Sequence, residues 1–214
     1  MRPRGRSKGI DTTHTNSDAV SRMGKLRLGK RVPSLVLPVC IVGSNVEGKA
    51  NFCTIAWFTM IEDEPPTIGL LLGKQRRTMD GIKENGTFSV NLPSTALAAE
   101  TDYVGLHSGR KTDKSDVFQI YYGDLGTAPL IQECPMSLEC KLKDSIEFEG
   151  TDLLIGEVAE IHVDEDCMTN GKPDIAKIDP LLYSMPGGPY VGKGEKVADA
   201  FKIGRTLKRK GSKK

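Results

Sequence analysis

The sequence predicts a mainly β protein, an antiparallel Greek-key barrel with a few short helices. Two features carry that prediction. The first is a series of short runs rich in β-branched and aromatic residues, Val39–Val42, Asn51–Phe58 and Thr67–Leu72, which have the composition of strands. The second is a long alternating pair near the C-terminal end. Met136, Leu138, Cys140 and Leu142 interleave with Ser137, Glu139, Lys141 and Lys143, the period of a half-exposed strand. Leu153, Ile155, Ala159, Ile161 and Val163 return after the turn Glu149-Gly150-Thr151-Asp152. Such a hairpin is typical of a Greek-key barrel rather than a βαβ fold.

In chain order, residues 1–23 are polar and lack an apolar period, which predicts a disordered N-terminal extension. One domain is expected over 24–204. Asn45-Val46-Glu47-Gly48-Lys49 has the chemistry of a hairpin turn, with Gly48 free to take the positive φ the turn demands. Pro65-Pro66 keeps the chain extended ahead of the third run. Thr78 is placed to cap a short helix with Met79 and Ile82 on its apolar face, which Asn85-Gly86 ends. Phe88–Leu92 reads as a strand closed by Pro93. Ser94 is placed to cap a second helix over Thr95–Val104. Residues 106–115 and 166–180 read as loops, and 205–214 as a basic, solvated tail.

Composition narrows the function. Lysine and arginine number 30 against 28 acidic residues, so the chain as a whole is no dedicated nucleic-acid binder, although both ends are basic. Five cysteines without CxxC spacing read as reduced thiols of an intracellular, cytoplasmic protein. No apolar run approaches the roughly 18–20 residues of a membrane span. There is no GxGxxG after a strand, and Gly69-Leu-Leu-Leu-Gly-Lys74 lacks phosphate-loop spacing. No histidines have metal spacing, and no serine nucleophile with a base is recognisable. Redox chemistry in such a chain falls to a bound cofactor.

One stretch has the chemistry to seat a phosphate. Lys74, Arg76 and Arg77 stand beside Thr78 at a helix start, where free N–H groups and the positive dipole end favour an anion. The same arginines read as an exposed pair on a barrel rim, and composition leaves both readings open. The loop His107-Ser108-Gly109-Arg110 likewise reads as ligand-facing or as a solvated connection. Trp57 shares strand parity with Asn51 and Cys53, and either walls a slot or packs in the core.

The ordered series Asn51-Phe52-Cys53-Thr54, Pro66, Arg76 with Thr78, Asn85-Gly86-Thr87-Phe88-Ser89-Val90-Asn91, Ser108-Gly109-Arg110 with Asp113-Lys114, Leu138-Glu139-Cys140, Gly156-Glu157-Val158 and Pro180-Leu181-Leu182-Tyr183 resembles the flavin reductase-like, FMN-binding split-barrel proteins, and most nearly their flavoredoxin branch. The resemblance runs over roughly residues 24–204; the ordered series, not any one tetrapeptide, carries it. It implies a split barrel that forms a homodimer with non-covalent FMN in a groove between subunits. It places Asn51, Phe52, Cys53 and Thr54 along the flavin's polar edge and Arg76, Thr78 and Lys74 at its phosphate. Asn91, Ser108, Gly109 and Lys114 follow as flavin or subunit contacts. Electrons would pass to a redox partner protein or a small-molecule donor or acceptor.

The chain departs from the family at one place. Many NAD(P)H:flavin reductases of this superfamily carry Asp-His just before the Gly-Glu-Val strand. Here the residues are Thr151-Asp152, and His162 lies ten positions on, where it reads as structural. The departure favours an electron-carrying FMN protein. An NAD(P)H-dependent flavin or ferric reductase and a non-catalytic flavin- or haem-binding module remain the alternatives.

Overall fold

The computed structural model describes residues 24–207. The predicted extension over 1–23 and the tail beyond 207 lie outside the described residues. The chain divides into two units at Ser34/Leu35. Residues 24–34 have no regular secondary structure, and all that follows concerns the unit beginning at Leu35.

That unit opens with β1 (Leu35–Pro38), β2 (Cys40–Val46), β3 (Lys49–Ile55), β4 (Phe58–Asp63) and β5 (Pro66–Gly73). Helix α1 (Arg77–Asn85), strand β6 (Thr87–Leu92), a 3-10 turn at Thr95–Leu97 and helix α2 (Ala98–Leu106) follow. After the short pair β7 (Ile120–Tyr121) and β8 (Leu130–Ile131) come the long strands β9 (Met136–Glu147) and β10 (Thr151–Val163). The chain then makes the small hairpin β11 (Met168–Thr169) and β12 (Lys172–Pro173), the one-turn helix α3 (Ile175–Ile178), and strands β13 (Leu182–Met185) and β14 (Tyr190–Val191).

Seven strands form one sheet in the order β3-β2-β6-β9-β10-β5-β4, all pairs antiparallel. Its first and last strands, β3 and β4, are joined by only Ala56 and Trp57. So short a link spans at most about 10 Å, so the sheet must curl until its edges approach. The result is a barrel with a seam between β3 and β4, the split barrel expected. A second sheet, β1-β13-β14, is built from both ends of the unit.

Local chemistry explains the turns. Val46 pairs with Lys49 across Glu47-Gly48, both at positive φ (52° and 77°), the two-residue turn whose twist suits a hairpin. Helix α1 ends on Gly86 at φ 66°, its N–H returning to the Ile82 carbonyl. Its start differs from expectation: Arg76, not Thr78, stands at the cap, and no side chain of the helix's own segment caps it. Ser94 likewise caps nothing with its side chain, and the helix after it starts as a 3-10 turn. The predicted loop over 166–180 contains β11, β12 and α3; Asp174 caps α3 by accepting from Ala176 N–H.

Two cores explain why β2 and β3 are buried on both faces. The barrel interior holds Cys40, Val42, Cys53, Leu70, Phe88 and Leu154, plugged by Met79 and Ile82 of α1. Outside the barrel wall, Ile41, Ala50 and Phe52 pack with Val104, Phe118, Ile131 and Cys134. The segment 117–134 that supplies this second core also covers the polar face of β9. Ser137 and Glu139, expected at a solvated face, are therefore buried. Glu139 accepts from the N–H groups of Asp124 at Oε1 (3.1 Å) and Leu125 at Oε2 (2.5 Å), and His162 Nε2 lies 2.8 Å from Oε1. On β10 the buried side is Asp152, Leu154 and Gly156, so the expected inward set of Leu153 and Ile155 is only half-buried. A bulge at Ala159, where Val158 pairs with Cys140 and Glu160 with Glu139, breaks the parity of β10 on which that expectation rests.

Candidate functional site

The seam opens into a cleft of about 320 Å³ whose walls include Thr54, Ala56, Arg76, Gly105, Tyr183 and Tyr190. Three parts of the fold meet there: the end of β3 with the link to β4, the turn before α1 together with the end of α2, and the β13–β14 hairpin. Three hydrogen bonds hold these parts together. Arg76 donates to the Gly105 carbonyl at 2.9 Å, and the Thr54 hydroxyl donates to the Thr101 carbonyl. Tyr190 donates to Asp102 at 3.0 Å. Burial first, and then the Asp102 carboxylate, pushes the Tyr190 phenol up to about 12. Tyr183 and Tyr190 lie with ring centroids 5.9 Å apart, tilted at 51°.

The main chain of β3 matters as much as its side chains. β3 is an edge strand paired only with β2, so alternate residues turn their N–H and C=O groups to the free side. The Phe52 carbonyl, on that side, is satisfied by Lys114 Nζ. Thr54 has the same parity, so its main-chain groups face the free edge where it lines the cleft.

The sequence-predicted residues fall into three sets. Thr54 and Arg76 come together in the seam cleft. Asn51, Gly109 and Lys114 line a second, basic cleft, with Ser108 just before it. The others are framework. Phe52, Cys53, Thr78 and Asn91 are buried. The Thr78 hydroxyl meets the Asn51 amide at 2.7 Å. The Asn91 amide is spent inside the wall, donating to the Ile41 carbonyl and Ser89 Oγ and accepting from Ile131 N–H. Burial pushes the Cys53 thiol up, which fits packing and not thiolate chemistry.

Lys74 and Lys114 are also placed otherwise than expected. Lys74 reaches Glu147 (3.3 Å) and the buried Asp152 (3.4 Å), which Lys83 holds from the helix at 2.9 Å. The hydrogen bond from Lys83 is the main reason the Asp152 carboxyl lies below its usual range. Lys114 is 2% exposed and donates to the carbonyls of Phe52, Val104 and His107. Burial pulls its pKa down, while three carbonyl acceptors need all three protons of the ammonium.

A family model described as a flavin reductase like domain matches residues 32–187. The chain belongs to the flavin reductase like family. Among solved structures, flavoredoxin from Methanosarcina acetivorans is 40% identical with a TM-score of 0.83, covering 86% of this chain and 99% of its own. Flavoredoxin of Desulfovibrio vulgaris (Miyazaki F) is 34% identical with a TM-score of 0.79, covering 84% and 99%. Among curated relatives, the FMN reductase (NADH) RutF of Pseudomonas syringae pv. syringae is 28% identical over 116 residues, 53% of this chain and 62% of the relative.

For this family member, sequence reasoning missed Ala56, Asp102 and Tyr190 as cleft residues. The place of Tyr190 depends on the β13–β14 hairpin reaching the end of β3, far earlier in the chain, and that of Asp102 on α2 packing against β3, which no local pattern reveals. Trp57 was read as slot or core. It is 46% exposed in the β3–β4 link, its indole N–H 3.4 Å from Met185 Sδ.

Proposed function

We propose that this chain binds FMN non-covalently in the seam cleft and carries electrons through it. The observation that carries the reading is the free edge of β3 at Thr54, meeting Arg76 and two tyrosines in one cleft. The residues fit the cofactor's chemistry. Main-chain donors and acceptors at Thr54 suit the polar edge of an isoalloxazine, and Tyr183 and Tyr190 suit its flat face. Arg76 would hold the phosphate, with its remaining guanidinium N–H groups. FMN supplies the electron-accepting ring. The chain's own part is to bind, orient and shield it, while Phe52, Cys53, Asn91 and Lys114 stiffen the strand beneath.

A homodimer is part of the proposal. The edge strand β4 and its link leave Trp57, Met60 and Ile61 exposed, an apolar set beside the cleft that a second copy would cover. The electron donor or acceptor is a redox protein or a small molecule. NAD(P)H as direct donor is the second reading, favoured by the likeness to an FMN reductase (NADH). Against it stands Asp152, fully buried and held by two lysines where many reductases of the superfamily place a histidine.

The test is the visible spectrum of the purified protein before and after anaerobic NADH. A flavin spectrum that NADH bleaches slowly supports an electron carrier; rapid bleaching supports the reductase. A colourless protein that takes up no added FMN refutes both. In the same titration, Arg76→Ala should weaken FMN binding at least tenfold, and unchanged affinity would remove the phosphate role of Arg76.

A further inference from the structure

We infer that Asp102 is a positioning residue for the flavin: by holding Tyr190 it clasps the β13–β14 hairpin to helix α2 and closes one side of the seam cleft. The inference rests on the reading of that cleft as the flavin site.

Aspartate is a weak helix former whose usual place is a cap or a first turn. Asp102 is instead the fifth residue of α2, beyond the free N–H groups of the helix start. Its neighbours three and four positions away are Ala98, Ala99, Gly105 and Leu106, so no helix pairing accounts for its charge. Among the described residues, the one side-chain hydrogen bond its carboxylate makes is with Tyr190, whose hydroxyl donates at 3.0 Å. Breaches of local preference of this kind belong to functional sites.

Tyr190 has reason to need such a partner. It lies in β14, a two-residue strand at the edge of its sheet, paired with β13 alone. The turn of that hairpin is fixed separately, by Gly187 N–H donating to the Tyr183 hydroxyl at 2.6 Å. The bond to Asp102 leaves the hairpin altogether and reaches α2, 88 residues earlier. Both residues line the cleft and both are half-buried. With its phenol pushed up to about 12, Tyr190 keeps its proton and donates throughout the neutral range. A ring already fixed through its hydroxyl loses little further freedom when a flat ligand settles against it, and such preorganisation raises affinity.

Three variants separate the bond from the charge. Tyr190→Phe keeps the ring without the hydroxyl, Asp102→Ala removes the acceptor, and Asp102→Asn keeps an acceptor without the charge. FMN titration of the full chain gives affinity, and hydrogen exchange of the FMN-free protein at residues 188–191 reports the hairpin itself. Loss of one hydrogen bond to a charged group corresponds to about tenfold in a binding constant. Tyr190→Phe and Asp102→Ala should each bind FMN about tenfold more weakly and exchange faster at 188–191. Asp102→Asn should stay within about threefold of the parent in affinity, with exchange close to the parent's. Unchanged affinity or unchanged exchange in either of the first two variants overturns the inference. So does an Asn variant as impaired as the Ala variant. A parent that takes up no FMN defeats the flavin reading and this inference together; a parent that binds, with variants that bind alike, defeats this inference alone.

Discussion

Replacing Lys114 by Met removes a buried cation while keeping most of the side chain's apolar length. The ammonium joins three separated parts of the fold: β3 through Phe52, and helix α2 and the loop after it through Val104 and His107. Hydrogen bonds from a charged donor contribute about 1.5–3 kcal/mol each, so three amount to roughly 4.5–9 kcal/mol gross. Burying the ammonium costs several kcal/mol in return. The net loss expected is about 3 kcal/mol. For a chain of this size each kcal/mol moves the melting point by about 2–4 °C, which gives a fall of about 6–12 °C. Thermal unfolding followed by far-UV circular dichroism measures it. A Lys114→Met protein melting within about 2 °C of the parent would show that the three bonds return no more than the burial takes, and would refute the structural role assigned to Lys114.

Two further substitutions probe the frame. Asp152 has its carboxyl depressed chiefly by Lys83, so its contribution is present above the ordinary carboxylate pKa, about 3.9. It is lost as pH falls through the lower folded value. Asp152→Asn should therefore lower stability at pH 7, with the gap to the parent closing below about pH 3; a gap that stays constant in melts across pH 2.5–7 would contradict the pairing. Glu139→Leu removes the buried acceptor of the Asp124 and Leu125 N–H groups. At about 1–3 kcal/mol for each orphaned donor, a loss of roughly 2–6 kcal/mol is expected, together with faster amide exchange at residues 124–125. Unchanged exchange there would discount the tie.

Much of the fold was legible because it is written in local patterns. The Glu47-Gly48 turn, the Gly86 stop after α1 and the long β9–β10 hairpin all follow from residue chemistry within a few positions. What the pattern could not show was a second layer. Ser137 and Glu139 alternate like solvated residues, and only the return of 117–134 over that face makes them interior. The same limit applies to the site. The ordered series of family residues names Thr54, Arg76, Thr78 and Asn91 alike, but it does not show that Thr78 and Asn91 hydrogen-bond within the wall while Thr54 and Arg76 line the cleft. Nor does the sequence show that Lys114 reaches three carbonyls from separate parts of the chain. Tyr190 had no signal short of the tertiary fold.

The clamping of β3 between two cores bears on how the cleft would treat a guest whose charge changes. Phe52 anchors the strand on one side and Cys53 on the other, so its open edge has little freedom to drift. Donors fixed in advance need not swing when an electron arrives or leaves. A cycling cofactor held there would meet a small reorganisation barrier in both directions, a quality that suits relaying charge between partners.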